Sequence, residues 1–359
     1  MPNKMPYVPV APVTRDRLLE DAQRRWDGIL ERRPDLKPAV DLQQRLLTLV
    51  IELADTIDGG RLPRLSLPPK YIGTKLARGV PVLSGEPIPL PVHLLHASLL
   101  QLCGALASGG AGEAAEHIQS AIESGGMEAG PLLAASLARD QTAIRTGAVH
   151  RGLAPDLVWL VAELAVSPFA HALQRALFAS APQPKRGERQ RASAEDSHPF
   201  DALSVDLSSA EGRGAAGEFP RAADNAVTSL GAALTRWNRG YCPACGSWPA
   251  LAEVVGGRRV LRCSFCAVAW ELATYACIYC EEDADPFVTA AADEERRDRR
   301  IELCSRCSGY LKTVDVPALS PFPLLAIADL ETMDLDLVAI ERGYTRPPLP
   351  GVVTRTPRR

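Results

Sequence analysis

The sequence has no surplus of positive charge. Its 359 residues carry 40 Lys and Arg against 43 Asp and Glu, a net charge of -3, with a pI near 6.1. No overall positive field is available to recruit phosphates, which argues against a general nucleic-acid binder. The opening MPNKMPYVPV has a Lys but no apolar run behind it, so no secretory signal is read there. The most apolar stretch, Leu153 to Phe169, is interrupted by Asp156, Glu163 and Pro168. It reads as a buried helix and not as a membrane span. A phosphate-cradling loop is also missing: GGAGEAAEH has glycines, but no Lys-Ser/Thr ending and no strand before it. No Gly-x-Ser-x-Gly nucleophile elbow occurs. The histidines, at His93, His96, His117, His150, His171 and His198, share no metal-ligand spacing with the cysteines. The expectation is a cytoplasmic protein that is not an enzyme and has no membrane partner.

What is present divides the chain. A hydrophobic fraction of 46% supports a real core, and 23% charged residues is ordinary for a soluble protein. Residues 1–180 read as an all-helical domain. Leu18, Ala22, Trp26 and Leu30 fall at helical spacing, and a second helix is expected from about Val40 to Ile57, stopped by Gly59 and Gly60. The Pro- and Gly-rich stretch 62–92 predicts a connection without regular structure. Further helices are expected near 92–108, 113–124, 131–148 and 153–178, with Pro168 breaking or kinking the last. Cys103 reads as a buried helix residue. Residues 181–225 are rich in Ser, Ala, Gly, Pro and charge and read as a linker or mobile insertion. A short helix, Ala223 to Trp237, leads out of it.

The chemistry sits in the cysteines. Eight of the nine fall between 242 and 307, all in Cys-x-x-Cys pairs at 242/245, 263/266, 277/280 and 304/307. Two intervening residues let one tight turn present both sulfurs to one ion. A second such turn completes a tetrahedral four-thiolate site, a geometry both zinc and iron accept. Gly246 supplies the positive φ such a turn can need. Ala250 to Val255 and Arg259 to Cys263 read as strands joined by the Gly256-Gly257 turn, with Trp270 and Leu272 on a third strand. This predicts a first ribbon over 226–274 and a second over 275–346, with a closing helix and a tail at 347–359. The hairpin favours neighbour pairing: Cys242, Cys245, Cys263 and Cys266 around one ion, Cys277, Cys280, Cys304 and Cys307 around the other. An interleaved cross-brace is the alternative. Dithiol redox chemistry would need a strand–helix context that the motifs lack. The run Asp293 to Arg300 reads as a solvated loop or strand edge. Asp329, Glu331, Asp334 and Asp336 read as favouring a helix N-terminus through its dipole, or else as a partner contact.

Read in order, these motifs resemble the formate dehydrogenase accessory protein FdhE family. The stretches that carry the resemblance are GYCPACGSWP at 240–249, RVLRCSFCAVAW at 259–270, YACIYCE at 275–281, LCSRCSGYLKTVD at 303–315 and AIADLETMDLDLVAIERGYTR at 326–346. The resemblance implies an α+β protein: an N-terminal all-helical domain, two tandem rubredoxin-like or zinc-ribbon modules and a C-terminal helix. It implies a cytoplasmic maturation factor whose partner is the immature catalytic subunit of a formate dehydrogenase, and metal in the four-cysteine sites. Two other readings follow from the residues. One is a rubredoxin-like redox protein. The other is a nucleic-acid-binding zinc ribbon, for which Arg258, Arg259 and Arg262 lie on or near the hairpin and against which the acidic pI counts.

Overall fold

Apolar residues at helical spacing build the first half of the chain. In a computed structural model describing residues 7–60, 67–178, 234, 237–283, 287–290 and 296–350, α1 (Arg15–Arg32) buries Leu18, Ala22, Trp26 and Ile29 on one stripe. That stripe packs on α2 (Lys37–Gly59), whose Val40, Leu47 and Ile51 face it. There follow α3 (Pro69–Ala77), α4 (Val92–Leu106), α5 (Gly112–Glu123), α6 (Ala129–Leu137), α7 (Gln141–His150) and α8 (Pro155–Phe178). The expected linker at 181–225, and the helix leading from it except for Leu234 and Trp237, lie outside the described residues.

Helix α8 is the pillar of this half, with Val158, Val161, Ala165, Phe169 and Leu173 buried against α2, α4, α6 and α7. By length and composition it could cross a membrane, but 67% of its apolar window is buried inside the protein. The run Val92–Glu123 passes the same test, and it is interrupted at Gly110, where φ is 113°.

Three expectations change here. Pro168 neither ends nor breaks α8. A proline removes the N–H that would bond the carbonyl four residues back, here that of Leu164, and the Ser167 hydroxyl donates to that carbonyl instead at 3.4 Å. The single helix expected over 131–148 is two. Arg139 turns the chain at φ 61°, and Asp140 restarts it as an N-cap that accepts from the Ala143 amide at 2.9 Å. The connection 62–92 contains a helix, α3, started by Pro69 in its first turn. The buried Lys75 of α3 donates to the carbonyls of Val82 (2.8 Å) and Ser84 (2.6 Å) and pairs with Glu86, which orders the loop that follows.

The second half is one mixed sheet. Its strands are β1 (Pro249–Val255), β2 (Arg258–Cys263), β3 (Ala269–Trp270), β4 (Phe287–Ala290), β5 (Arg299–Cys304) and β6 (Tyr310–Asp315), in the order β3-β2-β1-β6-β5-β4. Gly256 and Gly257 both take positive φ in the β1–β2 turn, as a tight hairpin requires. Each ribbon is an antiparallel set. The two join where β1 runs parallel to β6, Ala252 opposite Thr313 and Val254 opposite Asp315. The tandem modules thus share a single hydrogen-bonded ladder.

Two short helices replace the expected closing helix: α9 (Leu325–Glu331) and α10 (Met333–Glu341). They part at Thr332, whose buried hydroxyl donates to the Ala328 carbonyl at 2.8 Å. Leu324 and Ile327 join the α1–α2 core. Leu335 and Ala339 cover Ile301, Leu303 and Tyr310 of the second ribbon.

Candidate metal centres

All four Cys-x-x-Cys pairs form the same turn. The first cysteine of each donates its amide to the carbonyl five residues on: Cys242 to Ser247, Cys263 to Val268, Cys277 to Glu282 and Cys304 to Gly309, each at 2.9 Å. The residue after the second cysteine is left-handed in every case, with φ 84° at Gly246, 56° at Ala267, 61° at Glu281 and 53° at Ser308. Sequence reasoning anticipates the glycine. It has no signal for the other three, which adopt a conformation that costs roughly 1–2 kcal/mol per residue outside glycine. That the fold accepts this cost three times shows how strongly the turn is constrained.

The turns bring the sulfurs together in two sets of four: Cys242, Cys245, Cys263 and Cys266, and Cys277, Cys280, Cys304 and Cys307. Within each set all sulfurs lie within 4.8 Å of one another. The neighbouring pairs converge, and the interleaved arrangement does not form. In the first set, Cys242–Cys266 is 3.6 Å and Cys245–Cys263 is 3.5 Å. In the second, Cys277–Cys307 is 3.7 Å and Cys280–Cys304 is 3.6 Å. A tetrahedron with metal–sulfur bonds of about 2.3 Å has edges of about 3.8 Å, so both sets fit a four-thiolate ion. Backbone amides already point at the sulfurs: Ala244 to Cys242, and Phe265 and Cys266 to Cys263, each at 3.4 Å.

The electrostatics fit a cation as well. Burial pushes the Cys242 and Cys266 thiols well above the ordinary range. Against the same cost of burial, Cys245 is held well below it by hydrogen bonds from Cys242, Cys263 and Cys266 and by the Arg139 charge. Thiols so crowded share their protons badly, and one divalent ion in their place removes both the crowding and the desolvation of separate thiolates. Among the described residues these two sets are the groups of three or more side chains that could hold a metal.

The first centre is sunk in the helical core. Its cysteines and Phe265 belong to the same buried cluster as Leu99, Val166 and Phe169. The loop after α3 docks on its first turn through backbone bonds, Val82 to the Pro243 carbonyl and Leu83 to the Ala244 carbonyl, both 2.9 Å. The Tyr241 hydroxyl donates to the Gly79 carbonyl at 2.7 Å. Arg139 lies with its guanidinium carbon 4.0 Å from the Phe265 ring centre and 4.6 Å from that of Trp159, and pairs with Glu163. The half-buried His171, with no ligand spacing in the sequence, donates from Nδ1 to the Cys266 carbonyl at 3.0 Å and stacks on Phe322 at 4.4 Å. Burial pushes it down to about 4. Cys103 is fully buried, as expected.

The second centre is built differently around the same sulfurs. Cys277 and Cys304 are buried, Cys280 is half-buried and Cys307 is exposed. Tyr279 packs against Gly309 so closely that a side chain there would meet its ring at 2.5 Å. A C-terminal segment straps the module. The Thr345 amide bonds the Ser308 carbonyl, Arg346 reaches Asp329 and Asp336, and the Trp248 indole of the first ribbon donates to the Pro348 carbonyl at 2.9 Å.

Most of the charges singled out in the sequence are answered by ion pairs within the protein, Arg258 and Arg300 at its surface. Arg262 pairs with Glu253, and Arg259 with Glu302. Arg299 lies in β5 and pairs with Asp334. Lys312 is bracketed by Asp329 and Asp336, and Glu331 meets Arg25 of α1. The acidic run at 329–336 therefore ties the closing helices to the sheet and to α1 through ion pairs, while Asp334 and Asp336 also stand in the first turn of α10, where the helix dipole favours them. Residues 293–295 of the charged run lie outside the described residues.

No family model matches the chain. Three curated relatives share about a third of it: a "Protein FdhE homolog" of Aquifex aeolicus is 32% identical over 119 residues, one of Pseudomonas aeruginosa 34% over 126, and "Protein FdhE" of Escherichia coli O127:H6 32% over 112. These matches cover 31%, 32% and 30% of this chain and 41%, 40% and 36% of those proteins. The matched part is thus well under half of each relative's length. The crystal structure of the FdhE protein from Pseudomonas aeruginosa superposes along the whole fold, covering 98% of this chain and 99% of that one, with TM-score 0.53 and 18% identity.

Proposed function

We propose that this chain, similar in sequence and fold to FdhE proteins, is a member of that family and a cytoplasmic accessory protein for a formate dehydrogenase. It binds the immature catalytic subunit and performs no catalysis itself. Its eight paired cysteines hold two ions of the zinc or iron class, Cys242, Cys245, Cys263 and Cys266 the first, Cys277, Cys280, Cys304 and Cys307 the second.

The observation that carries this reading is the completeness of both sulfur sets. A catalytic metal keeps a coordination position open for substrate, whereas a structural one is closed by four protein ligands. Here each set supplies all four sulfurs at spacings that fit one ion. Eight free thiols held at such distances also suit a reducing compartment. The nucleic-acid reading loses support, because Arg259 and Arg262 are taken up in buried or partly buried ion pairs. A rubredoxin-like carrier is the second reading, favoured by the exposed edge of the second centre.

Two measurements test the proposal. Tagged protein from cells that make a formate dehydrogenase should recover its catalytic subunit, and deleting the gene should abolish formate oxidation. A pull-down without that subunit, with activity intact after deletion, would sink the accessory role. Metal analysis should find two ions per chain. A reversible visible iron–thiolate spectrum would move the assignment to electron transfer, and colourless two-zinc protein would exclude it.

A further inference from the structure

The two centres have the same ligands and unequal surroundings. Every cysteine of the first is buried: Cys242 and Cys266 are 0% exposed, Cys263 1% and Cys245 6%. Phe265, Trp237 and Trp270 are buried around it, and the 81–83 loop closes its first turn. An incoming molecule would have to part the helical core to reach these sulfurs.

The second centre is open at Cys307, while its Cys277 is buried. Cys307 faces solvent, and its turn neighbours Ser305, Arg306 and Ser308 are exposed with it. On another side Cys277 forms part of the wall of a cleft of about 380 Å³, which is also lined by Trp237, Arg239, Leu272 and Glu281. A pair across this mouth, Arg239 with Glu281, is about half exposed on both sides.

We infer that the second centre is an exchange site, at which soluble thiols and small chelators replace a protein ligand, while the first is a permanent staple. This rests on the reading that both sets hold metal. The exchange begins at Cys307. With an ion held by the four cysteines, Cys307 would be the ligand that a thiol from solution replaces: its sulfur would take up the proton that the incoming thiol gives up, one sulfur would stand in for another, and no electron would change hands. The other three cysteines keep the turn framework closed, because Cys304 and Cys277 are anchored by the sheet and by their amide bonds. The remaining steps need only local opening, whereas the first centre needs opening of the shared core. Such openings span from about zero to the full unfolding free energy. The second centre is therefore where metal is loaded or surrendered.

The test uses the full chain loaded with two zinc ions in reducing buffer, challenged with excess 4-(2-pyridylazo)resorcinol. Zinc should leave in two phases of one ion each, the first at least about tenfold faster because it needs only local opening. N-ethylmaleimide added when the fast phase is complete should label Cys307 and Cys280, read by peptide mass spectrometry, and leave Cys242, Cys245, Cys263 and Cys266 unlabelled. In Cys307→Ser the fast phase should accelerate and the slow one stay unchanged. Release of both ions in one phase, or early labelling of the first set, overturns the assignment and leaves the metal reading standing. Protein that takes up no ion overturns both.

Discussion

The Arg262 guanidinium meets the Glu253 carboxylate with essentially nothing of either side chain exposed. Both then bracket one loop residue: Arg262 donates to the Ser320 carbonyl at 2.6 Å, and Glu253 accepts the Ser320 amide at 3.1 Å. Glu253 lies on β1, the strand that carries the parallel seam. Removing one partner of a buried pair strands the other charge, at about 3–5 kcal/mol. Arg262→Met and Glu253→Met should each lose about that much in urea unfolding. The Arg262→Met/Glu253→Met double variant should recover a large part of the loss. Full additivity of the single losses would show that the two residues act independently.

Gly240 crosses the second module's first turn at contact distance. A Cβ on it would stand 1.8 Å from the Ile278 carbonyl oxygen, a backbone atom, and the Cβ position is itself fixed by the main chain, so neither can swing away. Overpacking of this kind typically costs about 1–3 kcal/mol. Gly240→Ala should lower the melting temperature accordingly and loosen metal at Cys277–Cys280 before it affects the first centre. A variant with wild-type stability would refute the crossing.

Ser308 holds φ 53° on an exposed turn. Glycine would relieve about 1–2 kcal/mol of left-handed strain and give back about 0.5–1 kcal/mol in unfolded-chain entropy. Ser308→Gly should therefore be neutral to mildly stabilising in the metal-loaded protein. Ser308→Val, β-branched at the same φ, should destabilise it. Chemical denaturation of the three proteins side by side decides the order.

His171 gives a pH signature. Burial pushes it down to about 4, below the 6.5 or so of an unfolded chain, so the unfolded state binds the proton more readily in between. Its contribution is complete above pH of about 6.5 and is lost as pH falls toward about 4. His171→Asn, which can keep a donor toward the Cys266 carbonyl, should flatten the stability curve over that window. An unchanged slope would mean that the imidazole does not titrate with folding.

Much of the molecule is legible from short-range pattern. The stripe Leu18, Ala22, Trp26 needs only the helical period, the Gly256-Gly257 hairpin only its turn residues, and the sulfur sets only the Cys-x-x-Cys spacing. What escapes that reading is set by contacts between distant segments. The β1–β6 seam has no turn signal, because Ala252 and Thr313 are far apart in sequence and pair through backbone alone. The docking of Val82 and Leu83 on the first cysteine turn is likewise main chain to main chain. Pro168 leaves α8 continuous, with the Ser167 hydroxyl on the Leu164 carbonyl, a contact no spacing rule announces. The charged residues mislead because a carboxylate such as Asp334 looks the same in sequence whether water or Arg299 answers it. The unequal exposure of the two centres is invisible for the same reason, since it depends on which turn the helical core happens to cover.

Helix α1 rests on the closing helix, with Arg25 bonded to Glu331 and Leu324 and Ile327 filling the α1–α2 core. A ribosome adding about 5–20 residues per second makes these partners some 300 positions apart, so roughly 15–60 seconds separate them. The α1–α2 hairpin must wait that long with one apolar side bare. The newborn chain thus carries a bare apolar face early, in its helical half, and Leu324, Ile327 and Glu331 are the residues whose synthesis ends the exposure.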